Sequence, residues 1–131
     1  QAEIVVFERT GYMSYANCGL PYYIGGVIRD EADLSLQTPE SFYARFRIDV
    51  RVRQEVTSID RAAKTVSVRP LDGGAPYTEH YDKLILSPGA RPVKPPLPGV
   101  DSARVFTLRT VEDTLRLHTF IQSSAPRSAV P

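Results

Sequence analysis

Only one cysteine, Cys18, occurs in the chain, so no internal disulfide can form and no disulfide framework can stand in for a hydrophobic core. A solitary thiol fits a reducing compartment, and no charged-then-apolar leader opens the sequence, so the expected location is the cytoplasm. No apolar run comes near the roughly 18 to 20 residues of a membrane span, which argues against a membrane anchor. Charge of one sign is lacking too: 16 basic residues stand against 15 acidic ones, and no basic run appears. The chain therefore has no overall field to draw nucleic acid or an anionic membrane. His80 and His118 have no cysteine, carboxylate or second histidine at ligand spacing, which leaves no expected metal site. Internal repeats are absent, and the one biased tract is rich in proline.

What is present suits one soluble domain, or part of one: 131 residues, 42% hydrophobic and 24% charged. "EIVVFE" is an unbroken β-branched and aromatic run from Ile4 to Phe7, of the kind that forms a parallel strand buried on both faces. Thr38, Pro39 and Glu40 supply an N-cap, a first-turn proline and a first-turn acid, predicting a short helix to about Phe46. Apolar and polar residues then alternate over Ile48–Val52, Glu55–Asp60 and Lys64–Arg69, three strands joined by short turns. After the Asp72-Gly73-Gly74 turn, "PYTEHY" reads as a polar edge strand, and Leu84-Ile85-Leu86 as a second central parallel strand stopped by Pro88-Gly89. Pro92, Pro95, Pro96 and Pro98 make the next segment an extended connection. Thr110 and Asp113 have capping-box spacing ahead of a helix carrying Val111, Leu115, Leu117, Phe120 and Ile121 loosely on one face. The closing "AV" looks like the start of another strand. The fold class expected is α/β, parallel strands with a small antiparallel meander.

Cys18 stands in "SYANCGLPYY". Pro21 suits an early helical position, so "LPYYI" predicts a short helix starting beside the cysteine. Free cysteine is on type alone most often a small buried hydrophobe. Its setting here differs: Ser14 and Asn17 precede it in a Gly-flanked loop just past a strand, and such loops are where α/β proteins bind ligands. Amides at a helix start stabilise a thiolate and lower cysteine pKa values from about 8.5 into the roughly 3.5 to 7.5 range. With no second sulfur, its oxidised forms are a mixed disulfide with an external thiol or a sulfenic acid. Tyr22 and Tyr23 are expected to pack rather than react.

"SYANCGLPYYIGG", preceded by "IVVFER" and followed by "YDKLILSPGARP" and "VFTLRTVEDT", resembles the single-cysteine branch of the FAD-dependent pyridine nucleotide-disulfide oxidoreductases. Within it, the likeness is to coenzyme A disulfide reductases and the related NADH oxidase, NADH peroxidase and persulfide reductase enzymes. It runs through nearly the whole chain. The two-cysteine branch carries its second cysteine five residues on, where this chain has Tyr23. The resemblance implies that Cys18 is the redox nucleophile near the flavin, regenerated by electrons from NAD(P)H through FAD. It also implies that Ser14 and Asn17 hold the CoA moiety. A basic residue that aids there in the family falls near Phe46, between Arg45 and Arg47. Glu8 matches the acid that binds the ribose hydroxyls of the FAD adenosine, a role suited to a carboxylate at a strand end. Arg9 flanks the adenine, and Val56 offers it a backbone contact. The resemblance further implies that Ser87, Pro88 and Gly89 form a turn against FAD, Gly89 permitting close approach; Arg109 is expected either to pair with the pyrophosphate side of the flavin or simply to solvate a helix start.

The family's opening strand and G-x-G-x-x-G turn have no counterpart here; Gly25-Gly26 and Gly73-Gly74 lack the spacing. Residues 1–125 are accordingly expected to be a partial FAD-binding domain, and 126–131 the start of a connection toward an NAD(P)-binding domain. The strands at Glu3–Phe7 and Lys83–Leu86 are then expected to lack a neighbour, implying self-association, a rearranged sheet or a larger parent molecule. The parent is expected to be a homodimer that reduces CoA disulfide, persulfide or polysulfide. Two alternatives stand beside this: oxidase or peroxidase chemistry through Cys18 sulfenic acid, and an inert fragment or association module without bound flavin.

Overall fold

The computed structural model, which describes residues 2–129, is a mixed α/β chain in which most of the predicted elements form in order. Strands are β1 (Ile4–Glu8), β2 (Ser14–Tyr15), β3 (Ser35–Gln37), β4 (Ile48–Val52), β5 (Gln54–Asp60), β6 (Thr65–Pro70) and β7 (Tyr77–His80). Helices are α1 (Leu20–Ile24), α2 (Pro39–Phe46) and α3 (Val111–Ser124). The strand expected at the terminal "AV" rests on Val130, outside the described residues. The chain divides into two compact units: one takes the residues up to Ser14 together with Gln37–Pro88, and the other takes Tyr15–Leu36 together with Gly89 onward.

In the first unit β1 runs parallel to β4, in register from Ile4 opposite Ile48 to Glu8 opposite Val52. α2 lies against β4. Its start is set locally: the Thr38 side chain accepts from Ser41 N–H and the Ser41 hydroxyl from Thr38 N–H, a reciprocal cap that satisfies two orphan donors. Hydrogen bonding to Thr38, and then to its own backbone, holds the Glu40 carboxyl below its ordinary range. The helix ends where Arg47 turns left-handed at φ 58°. β5, β6 and β7 form an antiparallel meander, with a register shift between Val56 and Ser58. Val50, Val66 and Val68 are the buried apolar side chains of this unit. Arg51 joins its two sheets: the guanidinium reaches Asp49 at 2.7 Å and Glu79 at 2.6 Å and lies 5.6 Å from the Phe7 ring centroid. Burial works against that charge, yet the hydrogen bonds it donates to Tyr77, Glu79 and Asp49 outweigh it and push the Arg51 pKa up, so it stays a cation.

Two expectations about this unit are corrected. Lys83–Leu86 forms no strand; Ile85 is 87% and Leu86 69% exposed. Its composition suits a strand, but a strand exists only with a neighbour to take its amides and carbonyls, and among the described residues no strand pairs with it. Nor is β1 buried on both faces: Ile4 and Val6 are exposed while Val5 and Phe7 are half-buried. A two-stranded parallel sheet has one covered face here, which an apolar run cannot reveal.

In the second unit Leu20, Tyr23, Leu34 and Val111 are buried together with Thr114. α1 packs against α3, with the Tyr23 and His118 rings 4.9 Å apart. Tyr23 thus packs as expected, whereas Tyr22 is exposed. The buried seam of α3 is Val111 and Thr114; Leu115, Leu117, Phe120 and Ile121 are only half-buried. Thr114 is tolerated because its hydroxyl donates back to the Thr110 carbonyl at 3.0 Å. The proline-rich stretch before α3 carries no helix or strand, as predicted. α3 opens on a capping box: Thr110 accepts from Asp113 N–H at 3.1 Å, and the Asp113 carboxylate takes the N–H groups of Thr110 and Arg109. Thr110→Ala is expected to cost about 1 kcal/mol, read as faster amide exchange through the first turn of α3 with β4–β6 amides unaffected.

Candidate functional site

Cys18 lies in a single 3-10 turn, Asn17–Gly19, that runs directly into α1. The turn is closed by Gly19 N–H donating to the Ala16 carbonyl at 2.8 Å, and Ala16 N–H donates to Leu34 at 2.9 Å. Gly19 is buried with little room for a side chain: a Cβ there would lie 3.1 Å from Ile28, 3.2 Å from Ala16 and 3.4 Å from Leu34, so these side chains would have to give way. The chain therefore pivots on a buried glycine and turns the neighbouring residue outward, leaving Cys18 exposed. This is the opposite of a core cysteine.

One neighbour of Cys18 is held from far along the chain. The Arg109 guanidinium donates from Nη1 to Asn17 Oδ1 at 3.0 Å. Arg109 is itself fixed by its backbone: its N–H donates to Asp113 Oδ2 at 3.1 Å, and its carbonyl accepts from the Tyr15 hydroxyl at 3.2 Å. Cys18, Asn17 and Arg109 are thus brought together within the second unit. Nothing local in the sequence marks the link between Asn17 and Arg109, nor the supporting bonds from Tyr15 and to Asp113. Ser14, in β2, is half-buried.

A separate group gathers in the first unit. Glu8 ends β1, and its Oε1 accepts from Thr10 N–H at 2.6 Å and from the Thr10 hydroxyl at 2.7 Å. A carboxylate at the carboxyl end of a parallel strand is so aimed by the turn that follows it; a threonine two residues downstream is the sequence signal for this. Arg9 is exposed and reaches Glu55 at 3.6 Å, beside the exposed Val56 in β5. Glu8, Arg9 and Val56 therefore share the region where β1 and β5 meet. Arg45 and Arg47 stack near the Phe46 and Tyr43 rings at the end of α2. Ser87, Pro88 and Gly89 are exposed, and Gly89 adopts φ +70° with no atom within 4 Å of where a Cβ would stand, so its backbone is open to close approach. Among the described residues, none of these three is hydrogen-bonded to another candidate residue.

His118 sits against Tyr23 and within 3.3 Å of Gln122, while His80 is exposed at the end of β7. Among the described residues no three histidine, cysteine or carboxylate side chains cluster as a metal would need, and no helix is long and apolar enough to cross a membrane.

Comparison with known proteins places these features in context. The model of the family described as pyridine nucleotide-disulphide oxidoreductase matches residues 1–125. A coenzyme A disulfide reductase of Staphylococcus aureus is 42% identical over 124 residues, which is 95% of this chain and 28% of the relative. The crystal structure of reduced Bacillus anthracis CoADR-RHD superposes with a TM-score of 0.89 at 48% identity, covering 95% of this chain and 23% of that one. An NAD-dependent persulfide reductase from A. fulgidus superposes with a TM-score of 0.80 at 34% identity over 92% of this chain and 22% of the other. The chain thus spans about a quarter of the length of the relatives it matches.

Proposed function

Since the chain belongs to the pyridine nucleotide-disulphide oxidoreductase family, we propose that Cys18 is the redox nucleophile of a flavin-dependent NAD(P)H oxidoreductase whose substrate is CoA disulfide or a related persulfide or polysulfide. The observation that carries this reading is an exposed cysteine held at the start of α1 by the buried Gly19, with Tyr23 buried where a second cysteine would stand. In the thiol exchange step the Cys18 thiolate attacks one sulfur of the substrate disulfide. A protein–substrate S–S bond forms, the original S–S bond breaks, and the departing sulfur leaves with the electron pair as a thiolate. Cleaving the protein–substrate S–S bond with two electrons returns Cys18 to the thiolate and releases the second substrate sulfur as a thiolate; those electrons would come from a nicotinamide donor by way of FAD.

FAD fits the residues present. The Glu8 carboxylate is fixed by Thr10 at a parallel strand end, where it suits the vicinal hydroxyls of a ribose. Arg9 and Val56, in the same unit, would flank the adenine, and Ser87, Pro88 and the open backbone of Gly89 would take a further contact. Arg109 is proposed to face the pyrophosphate, and Ser14 and Asn17 the CoA moiety. Bound FAD supplies the two-electron relay; the chain's own part is to hold it, aim it and present the thiol. Turnover belongs to the longer protein, of which residues 1–125 are proposed to be part of the FAD-binding domain and 126–131 the connection beyond it.

The intact mass of the oxidised, full-length enzyme tests the reading. A CoA-sized adduct on the peptide carrying Cys18, released by thiol, is the expected result. One or two added oxygens in its place would replace disulfide chemistry with a sulfenic or sulfinic acid cycle of the oxidase or peroxidase kind.

A further inference from the structure

We infer that Arg109 is a positioning residue for substrate recognition, acting through Asn17. This inference rests on the thiol–disulfide reading above and assigns Arg109 a task within it. An arginine has only donors, so the Asn17 atom at 3.0 Å from Nη1 is the carbonyl oxygen, and the amide orientation is thereby fixed. With Oδ1 turned to the guanidinium, the Nδ2 end of Asn17 and its two protons face away from Arg109. The residue next to the nucleophile therefore presents a donor and recognises an acceptor, such as the amide carbonyls of a pantetheine arm. The point from which Arg109 reaches Asn17 is fixed: Asp113 accepts from its backbone N–H and the Tyr15 hydroxyl donates to its backbone carbonyl, and Asp113 belongs to the capping box of α3. Besides the Ala16–Leu34 hydrogen bond beneath it, this chain of bonds ties the exposed turn carrying Cys18 to the start of a 14-residue helix.

The purified chain, with its single thiol, allows a direct test. Rates of Cys18 mixed-disulfide formation are measured by intact mass with CoA disulfide and with hydroxyethyl disulfide, which lacks any pantetheine carbonyl. The ratio of the two rates is expected to fall about fivefold in Arg109→Ala, the loss of roughly one neutral hydrogen bond. It should fall equally in Asn17→Ala, and no further in the double variant. Arg109→Lys, which keeps a donor, is expected to recover part of it. Losses that add in the double variant would overturn the inference, because simple attraction of CoA phosphates by the arginine charge predicts additivity. An unchanged ratio in Arg109→Ala beside a lowered one in Asn17→Ala would overturn it as well. If the unaltered chain shows no preference for CoA disulfide, the substrate reading fails instead. The Asn17 side-chain amide resonances then decide the positioning role: a shift on Arg109→Ala upholds it, and none refutes it.

Discussion

Cys18→Ser in the full-length protein is expected to abolish disulfide reduction, lowering kcat by about 10^3-fold or more, since the mixed disulfide is proposed to form on Cys18 itself and a serine hydroxyl cannot take its place. Flavin reduction by the nicotinamide should persist in that variant, because electron entry precedes the thiol. The two half-reactions therefore come apart: a fast bleaching of the flavin spectrum followed by no turnover. A merely structural cysteine would behave differently. Its loss would leave turnover near normal, and a serine of similar size at an exposed turn position would cost little stability. Retention of full disulfide reductase activity by Cys18→Ser would remove the nucleophile from the scheme.

The second large effect concerns the platform beneath the thiol. Leu34 is 0% exposed and lies under Gly19, so Leu34→Ala opens a cavity directly below the cysteine turn. Buried Leu→Ala changes cost about 3 kcal/mol, roughly a hundredfold or more in the local opening equilibrium. Because the chain forms two compact units, the loss should be read locally, as accelerated amide exchange at Gly19, Leu20 and Tyr23. The amides of β4, β5 and β6 serve as the internal reference. Ile85→Ala supplies the contrast: at 87% exposure it is expected to change stability by less than about 0.5 kcal/mol. A large cost at Ile85 would mean that the Leu84–Leu86 run is buried after all.

Local signals were legible in the chain, and long-range ones were not. Caps are written locally, within three or four residues, so Thr38 and Thr110 announced α2 and α3 with their correct starts. Alternation announced β4 to β6, because period two has one physical origin. Pairing is a different matter: Leu84–Leu86 has strand composition, but whether it finds a partner depends on residues far away in sequence or outside the chain. β1 shows the same limit, since an apolar run does not tell how many of its faces are covered. At the candidate site, the exposure of Cys18 was legible from its polar, Gly-flanked setting. The hydrogen bond from Arg109 to Asn17 spans 92 residues and left no trace in either local segment. Thr10, which aims the Glu8 carboxylate, was within reach as a threonine two residues past a strand-end acid.

Incubating the purified chain with CoA disulfide and weighing it tests the central claim most directly, since thiol exchange needs Cys18 and no electron donor. One CoA per chain, localised to the peptide containing Cys18 and removed by dithiothreitol, is the predicted result. A chain that stays unmodified by CoA disulfide while dithionitrobenzoate labels Cys18 completely would contradict it.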